Sequence, residues 1–201
     1  MTDLRLALVR HGQTDANVRR ELDSRPPGRP LNALGREQAD ALARRLADAP
    51  VTAVYASQAL RAQQTAQPVA AAHGLAVDVL DGVHEVFVGD LEGRSDPAAL
   101  REFDVVYGGW WRGELDRRLP GGESAIELRA RYLPAVEQIA DGARGTIVLV
   151  SHGAAIRLAA ARRRHRWRPR TPLTKRGVSP SRAGAGSPRR SRSGAPPRGR
   201  R

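Results

Sequence analysis

The sequence predicts an α/β domain, a three-layer sandwich in which helices flank a mainly parallel sheet. Three observations carry this. From residue 4 to about residue 161, short apolar runs alternate with segments of helical length and pattern. The first of those runs, "LRLALVR" (4–10), reads as a strand buried on both faces, as in a parallel sheet. At 201 residues and 40% hydrophobic, the chain is long enough for one sizeable domain with a real core.

Each element follows from its own stretch. Residues 4–10, "LRLALVR", form the first strand. Residues 12–31 read as loop, since "SRPPGRP" excludes a regular element. "NALGREQADALARRLADAP" reads as a helix with Asn32 as N-cap and Pro50 past its end. Its stripe is Leu34, Gln38, Leu42 and Leu46, with Ala39 and Ala43 beside it. "VTAVYAS" (51–57) is the second strand. The alanine-rich "QALRAQQTAQPVAAAHG" is helical to His73, with Pro68 inside and Gly74 as the stop. "LAVDVL" (75–80) is the third strand. Residues 81–122, rich in glycine and holding Trp110–Trp111, read as an inserted lid or wall. Its Trp110, Trp111, Arg112, Arg117 and Arg118 are candidates for shaping selectivity. "ESAIELRARYLPAVEQIADG" is a helix capped near Ser124, and "GTIVLVSHGAAIRLAAAR" is strand, turn and helix.

Charge divides the chain in two. All 21 Asp and Glu and 19 of the 34 Lys and Arg lie in residues 1–161, for a net charge of −2. Residues 162–201 hold 14 Arg, one Lys and no acid, with no apolar periodicity. Such a tract cannot bury enough surface to offset chain entropy, which predicts an Arg/Pro-rich disordered tail. The abrupt change, the loss of acids and the GC-rich codon usage implied also predict an out-of-frame reading from about Arg162. There is no cysteine, which excludes disulfides, zinc–thiolate sites and a Cys nucleophile. No secretory signal and no apolar run of roughly 18 residues is present. The expectation is a cytoplasmic protein with no membrane partner.

The chemistry gathers at strand ends. The first strand runs into Arg10-His11-Gly12 and the last into Ser151-His152-Gly153. Ligands of open parallel sheets sit beyond the carboxyl ends of strands, so neighbouring strands would place His11 and His152 across one crevice. A glycine after each histidine would leave backbone N–H groups free for an anion, and the helix from Gly153 adds its partial positive charge. Arg61 follows the second strand, and Glu85 follows the third. Together these supply a possible nucleophile, cations for a phosphoryl group and a carboxyl to protonate a leaving oxygen. Each motif alone is an ordinary solvated turn or helix residue. Agreement across four strand ends is what raises them above that.

Taken together, "RHGQTDAN" (10–17), "LNALGREQA" (31–39), "SQALRAQQTA" (57–66), "HEVFVGDLEG" (84–93), "PGGES" (120–124) and "VSHGAAI" (150–156) resemble the histidine phosphatase superfamily, the phosphoglycerate mutase-like group. The motifs keep the family's order over residues 4–161. The resemblance implies a phosphoglycerate mutase-like fold over residues 1–161, short of the ordered chain that usually follows the helix after "SHG". It implies that His11 attacks phosphorus, and that Glu85 protonates the leaving alcohol and then activates water. Arg10, Arg61 and His152 would hold the phosphoryl oxygens, with Asn17 and Gly153 assisting. It implies no metal and no cofactor. Gln58 and Leu91 depart from the usual proline and aromatic at those positions.

The implied function is a phosphomonoester hydrolase acting on a small phosphorylated metabolite through a phosphohistidine. The word "VGDLEG" and the lack of a lysine soon after Glu85 favour it over phosphoglycerate mutase-type transfer. The other classes of function are non-specific nucleic-acid binding by the 162–201 tail and a catalytically impaired relative. Nothing in the sequence fixes the oligomeric state.

Overall fold

A computed structural model describes residues 3–161; the tail expected over 162–201, and the reading-frame hypothesis attached to it, lie outside the described residues. Four strands form one sheet: β1 (Arg5–Arg10), β2 (Val51–Ala56), β3 (Val77–Val79) and β4 (Thr146–Ser151). The order is β1-β4-β2-β3 and every pairing is parallel. The helices are α1 (Asp15–Arg19), α2 (Ala33–Leu46), α3 (Leu60–Ala72), α4 (Pro97–Trp111), α5 (Ala125–Ala140) and α6 (Gly153–Ala160).

The layers follow from the pleat. Along β4, Ile147 and Leu149 face a core built with Leu128, Tyr132 and Leu158 of α5 and α6. Val148 and Val150 face the other way, onto Ala62, Ala66, Val69 and Ala70 of α3, with Leu42 and Leu46 of α2 behind. Small residues on α3 let helix and sheet approach closely, and the two faces of β4 close both cores. All six β4 residues are buried, as the unbroken "TIVLVS" run requires.

β1 differs from its expectation. Among the described residues it is an edge strand, and its central residues are only half-buried. Its run is as apolar as that of β4, but position in the sheet is a tertiary matter that an apolar run does not encode. The helix stripe on α2 is also shifted. Gly35 and Ala39 are the buried positions, while Leu34 is exposed. The reason is a backbone contact: a Cβ on Gly35 would sit 2.1 Å from the Gln13 carbonyl oxygen, so the chain after β1 presses on this face.

Two helices lie where loop or wall was expected. α1 is closed by a capping box in which Thr14 and Asn17 exchange side-chain and backbone hydrogen bonds. α4 starts at Asp96, whose carboxylate accepts from the Ala98 and Ala99 amides, with Pro97 at the first helical position. It takes up 15 residues in the middle of the segment read as a wall. Trp110 is buried and donates its indole N–H to the Arg117 carbonyl (2.7 Å), so it is core. Arg112 and Arg117 pair with Glu114, and Arg118 with Glu127. None of these five residues lines the cleft described next.

Candidate active site

The strand order brings the charged ends together. β1 and β4 are neighbours with Arg10 opposite Ser151, so His11 and His152 follow side by side. Their ring centroids are 5.2 Å apart. β2 lies on the other side of β4, and α3 rises from its end carrying Arg61. His11 is 8%, Arg61 2% and His152 0% exposed.

Hydrogen bonds fix both imidazole tautomers. His11 Nδ1 lies 2.7 Å from the Gly12 carbonyl, so it carries the proton and donates. Nε2 is then a lone pair, and it accepts from Arg61 Nε at 3.2 Å. His152 Nδ1 lies 3.3 Å from Arg61 Nη2, which can only donate, so Nδ1 accepts. Its Nε2–H then donates to Ser57 Oγ at 2.7 Å. Burial first, then the Arg61 guanidinium, pull the His11 pKa down from 6.5 to about 3, against the Gly12 carbonyl. The same two causes, in the same order, hold His152 well below its ordinary value. Both rings are neutral at pH 7.

Arg61 is anchored from behind. Nη1 donates to Asp23 Oδ2 (3.2 Å) and Nη2 to the Asp23 carbonyl (2.8 Å). Asp23 belongs to the loop between α1 and α2, and Glu92 clamps that loop by accepting from the Ser24 and Arg25 amides and the Ser24 hydroxyl. Thr65, one turn past Arg61, donates to the Arg61 carbonyl and accepts from the Gly12 amide at 2.9 Å. The Gly12 N–H is therefore not free for an anion, contrary to the expectation from sequence. Gly12 is required for a different close approach, since a Cβ there would lie 2.6 Å from the Gly35 carbonyl oxygen. Gly153 opens α6 beside Arg10, whose Nε would lie 3.3 Å from an added Cβ.

Glu85 reaches the same edge. Its carboxylate accepts from the amides of Val86 (3.0 Å), Ala154 (3.2 Å) and Ala155 (2.9 Å), and so caps α6, whose own N-cap His152 offers no side-chain bond. The backbone behind it is held by Arg131 of α5, which donates to the Gly82, His84 and Glu85 carbonyls and doubly to Glu123. Next to Glu85, His84 stacks on Phe87, and both its ring nitrogens are buried with no partner among the described residues.

These groups meet in one cleft with a volume of about 120 Å3. Of the residues expected at the site, Arg10, His11, Asn17, Arg61 and Glu85 line it. His152 and Gly153 do not; His152 closes the site from behind His11 and Arg61. Asp23, Ser57, Thr65, Glu92 and Arg131 escaped sequence reasoning. Only Ser57 and Thr65 carried a signal, as polar residues flanking Arg61 at fixed spacing. No group of three or more His, Asp or Glu among the described residues has the placement to hold a metal ion.

The parallel α/β sheet thus delivers a neutral histidine to a cleft that two guanidiniums, Arg10 and Arg61, also line. Sequence comparison carries this further. A model of the histidine phosphatase superfamily (branch 1) matches residues 6–172. The probable phosphoglycerate mutase GpmB of Escherichia coli is 34% identical over 154 residues, which is 76% of this chain and 71% of that protein. PE_PGRS11 of Mycobacterium tuberculosis, a PE-PGRS family protein, is 45% identical over 95 residues, but the match spans 46% of this chain and only 16% of that protein. Among solved structures, mycobacterial glucosyl-3-phosphoglycerate phosphatase superposes with a TM-score of 0.65 at 31% identity, over 78% of this chain and 77% of its own. The chain belongs to the histidine phosphatase superfamily, an enzyme family, and carries its phosphoglycerate mutase-like α/β fold.

Proposed function

We propose that the chain hydrolyses small phosphomonoesters in two steps, with His11 as the nucleophile. The observation that carries this is the His11 tautomer: Nδ1 is tied to the Gly12 carbonyl, and the Nε2 lone pair is set beside Arg61 at the floor of the cleft. In the first step Nε2 bonds to phosphorus as the bond to the leaving oxygen breaks, and Glu85 gives that oxygen a proton. In the second, water attacks the phosphohistidine, Glu85 takes a proton from it, and phosphate leaves with His11 restored. Arg10 and Arg61 neutralise the phosphoryl oxygens in both steps, which is the main demand of phosphoryl transfer. Asn17 spends its Oδ1 on the Thr14 amide, which leaves its Nδ2 to donate into the cleft. His152 holds Arg61 in register through Nδ1, and Gly153 makes room for Arg10. No step requires a metal or cofactor.

Hydrolysis is favoured over transfer between hydroxyls because the cleft is open to water and brings only two cationic side chains to bear among the described residues. A cytoplasmic location is part of the same proposal. Separately, no helix among the described residues is long and apolar enough to cross a membrane. Nucleic-acid binding by residues 162–201 is a separate, electrostatic property, checked by removing them.

Phosphoenzyme trapping tests the reading. Rapid quench with a labelled phosphomonoester should leave an acid-labile, base-stable label on the wild type and none on His11→Ala. A label that survives the substitution overturns the role of His11.

A further inference from the structure

We infer, resting on that hydrolase reading, that the enzyme selects phosphomonoesters whose alcohol part is uncharged and partly apolar, and that Glu21 turns away esters bearing a second acidic group. The argument is the distribution of charge in the cleft. Its two cationic side chains, Arg10 and Arg61, both stand at His11, and a phosphoryl dianion engages both. No other Lys or Arg among the described residues lines the cleft. Arg61 already shares its charge with Asp23.

Beyond that floor the wall is acidic and apolar. Glu21 and Asp23 line one part, and Leu22, Val86, Val88 and Phe103 line the rest. Glu85 is committed to the amides at the start of α6 and to the leaving oxygen, and Asp23 to Arg61, so Glu21 is the remaining carboxylate of the wall. Its side chain is 15% exposed and is fixed by Arg19 Nη2 at 3.1 Å and Arg29 Nη2 at 3.4 Å. Those two guanidiniums are themselves more than half exposed and do not line the cleft, so they hold Glu21 without facing the ligand. The hydrogen bond from Arg19 keeps the Glu21 carboxyl below its usual range and therefore ionised at pH 7.

A substrate carboxylate or second phosphate would thus give up part of its hydration in the cleft, find no further cation among the described residues that line it, and sit near an ionised carboxylate. An unpaired charge loses its hydration there and gains only repulsion. An uncharged alcohol avoids both costs and gains contact with Phe103, which stacks on Tyr107 at 5.6 Å and presents a fixed apolar surface. A like-charge contact of this kind lowers kcat/KM roughly ten- to a hundredfold.

Two matched ester pairs test this on the full-length chain: glycerol 3-phosphate against 3-phosphoglycerate, and phenyl phosphate against 4-carboxyphenyl phosphate. The uncharged member of each pair should be favoured by about tenfold or more in kcat/KM. Glu21→Gln keeps the shape of the wall and releases Arg19 and Arg29. It should bring both ratios toward one by raising the acidic esters, whereas a merely structural role would lower all four esters together and leave the ratios alone. Ratios near one or reversed in the wild type overturn the inference while the hydrolase reading stands. Ratios unmoved by Glu21→Gln overturn the part given to Glu21. If none of the four esters is turned over and no label forms on His11, the hydrolase reading falls and takes this one with it.

Discussion

The protonation state of His11 is the most exposed consequence of the site. A ring brought from 6.5 to about 3 by its surroundings prefers the neutral form by about 5 kcal/mol over a ring in water. Burial is the largest cause, the Arg61 guanidinium the next, and Arg10 adds to them. The perturbation that separates these is Arg61→Gln, which removes the charge and leaves the burial. The assay is NMR of ring-labelled histidine, titrated from pH 8 to pH 5. In the wild type, His11 should hold the neutral Nδ1–H signature throughout. At pH 5 a ring with the ordinary value would be roughly 97% protonated, and one at about 3 roughly 1%. In Arg61→Gln the midpoint should rise yet stay below 6.5, because burial persists. A wild-type midpoint near 6.5, or no rise in the variant, would refute the reasoning. Kinetics should agree: the acidic limb of kcat/KM should not report His11 near pH 6.5.

Three further outcomes follow from the same contacts. Stability should fall as pH drops below about 6.5, because the unfolded rings of His11, His84 and His152 take up protons that the folded rings refuse. The slope is up to about 1.4 kcal/mol per pH unit for each ring, absent above the unfolded value, and urea midpoints at pH 8 and pH 5.5 measure it. Arg131→Met should cost about 3 kcal/mol in urea unfolding by leaving Glu123 and three carbonyls unpaired, and should lower kcat by loosening Glu85. Gly28→Ala should cut kcat/KM at least about tenfold by displacing Arg61, since a Cβ there would lie 2.2 Å from Nη1 and Gly28 has a φ of +64°; activity equal to wild type would show that Arg61 has room.

Much of the fold and of the site was legible in the sequence, for a physical reason. A parallel sheet delivers the residues after its strands to one edge, so Arg10, His11, Arg61, Glu85 and His152 could be assembled by type before any distance was known. What was not legible depends on tertiary contact. The "LALV" of β1 reads as buried on both faces and is half-buried at an edge of the sheet among the described residues, because strand order is set by how the helices pack. Leu34 is exposed because two backbones meet at Gly35. α4 announces itself with "SDP", yet Val105, Val106, Gly108 and Gly109 weaken its helical signature, and packing of Trp110 and Ala99 overrides them. α1, at five residues, is too short for any period, although its Thr14–Asn17 capping pair is written in the sequence. The supporting residues Asp23, Glu92 and Arg131 bind backbone groups or Arg61 from distant parts of the chain, and such bonds have no spacing to read.

On the proposed hydrolase reading, those supporting residues explain why the His11 nucleophile is both ready and guarded. A guanidinium has five N–H donors. Arg61 directs Nε at His11, one Nη1 donor at Asp23 Oδ2, and Nη2 at the Asp23 carbonyl and His152 Nδ1. That leaves one Nη1 donor uncommitted, too little to hold a phosphoryl group alone. A phosphoryl oxygen must therefore compete with His11 Nε2 for the Nε–H of Arg61. When it wins, the same exchange frees the lone pair that attacks and brings a second anion to a guanidinium already paired with Asp23. Uncovering the nucleophile is in this way coupled to arrival of the group it attacks, and Asp23, by fixing the other end of the guanidinium, keeps that exchange local to one donor.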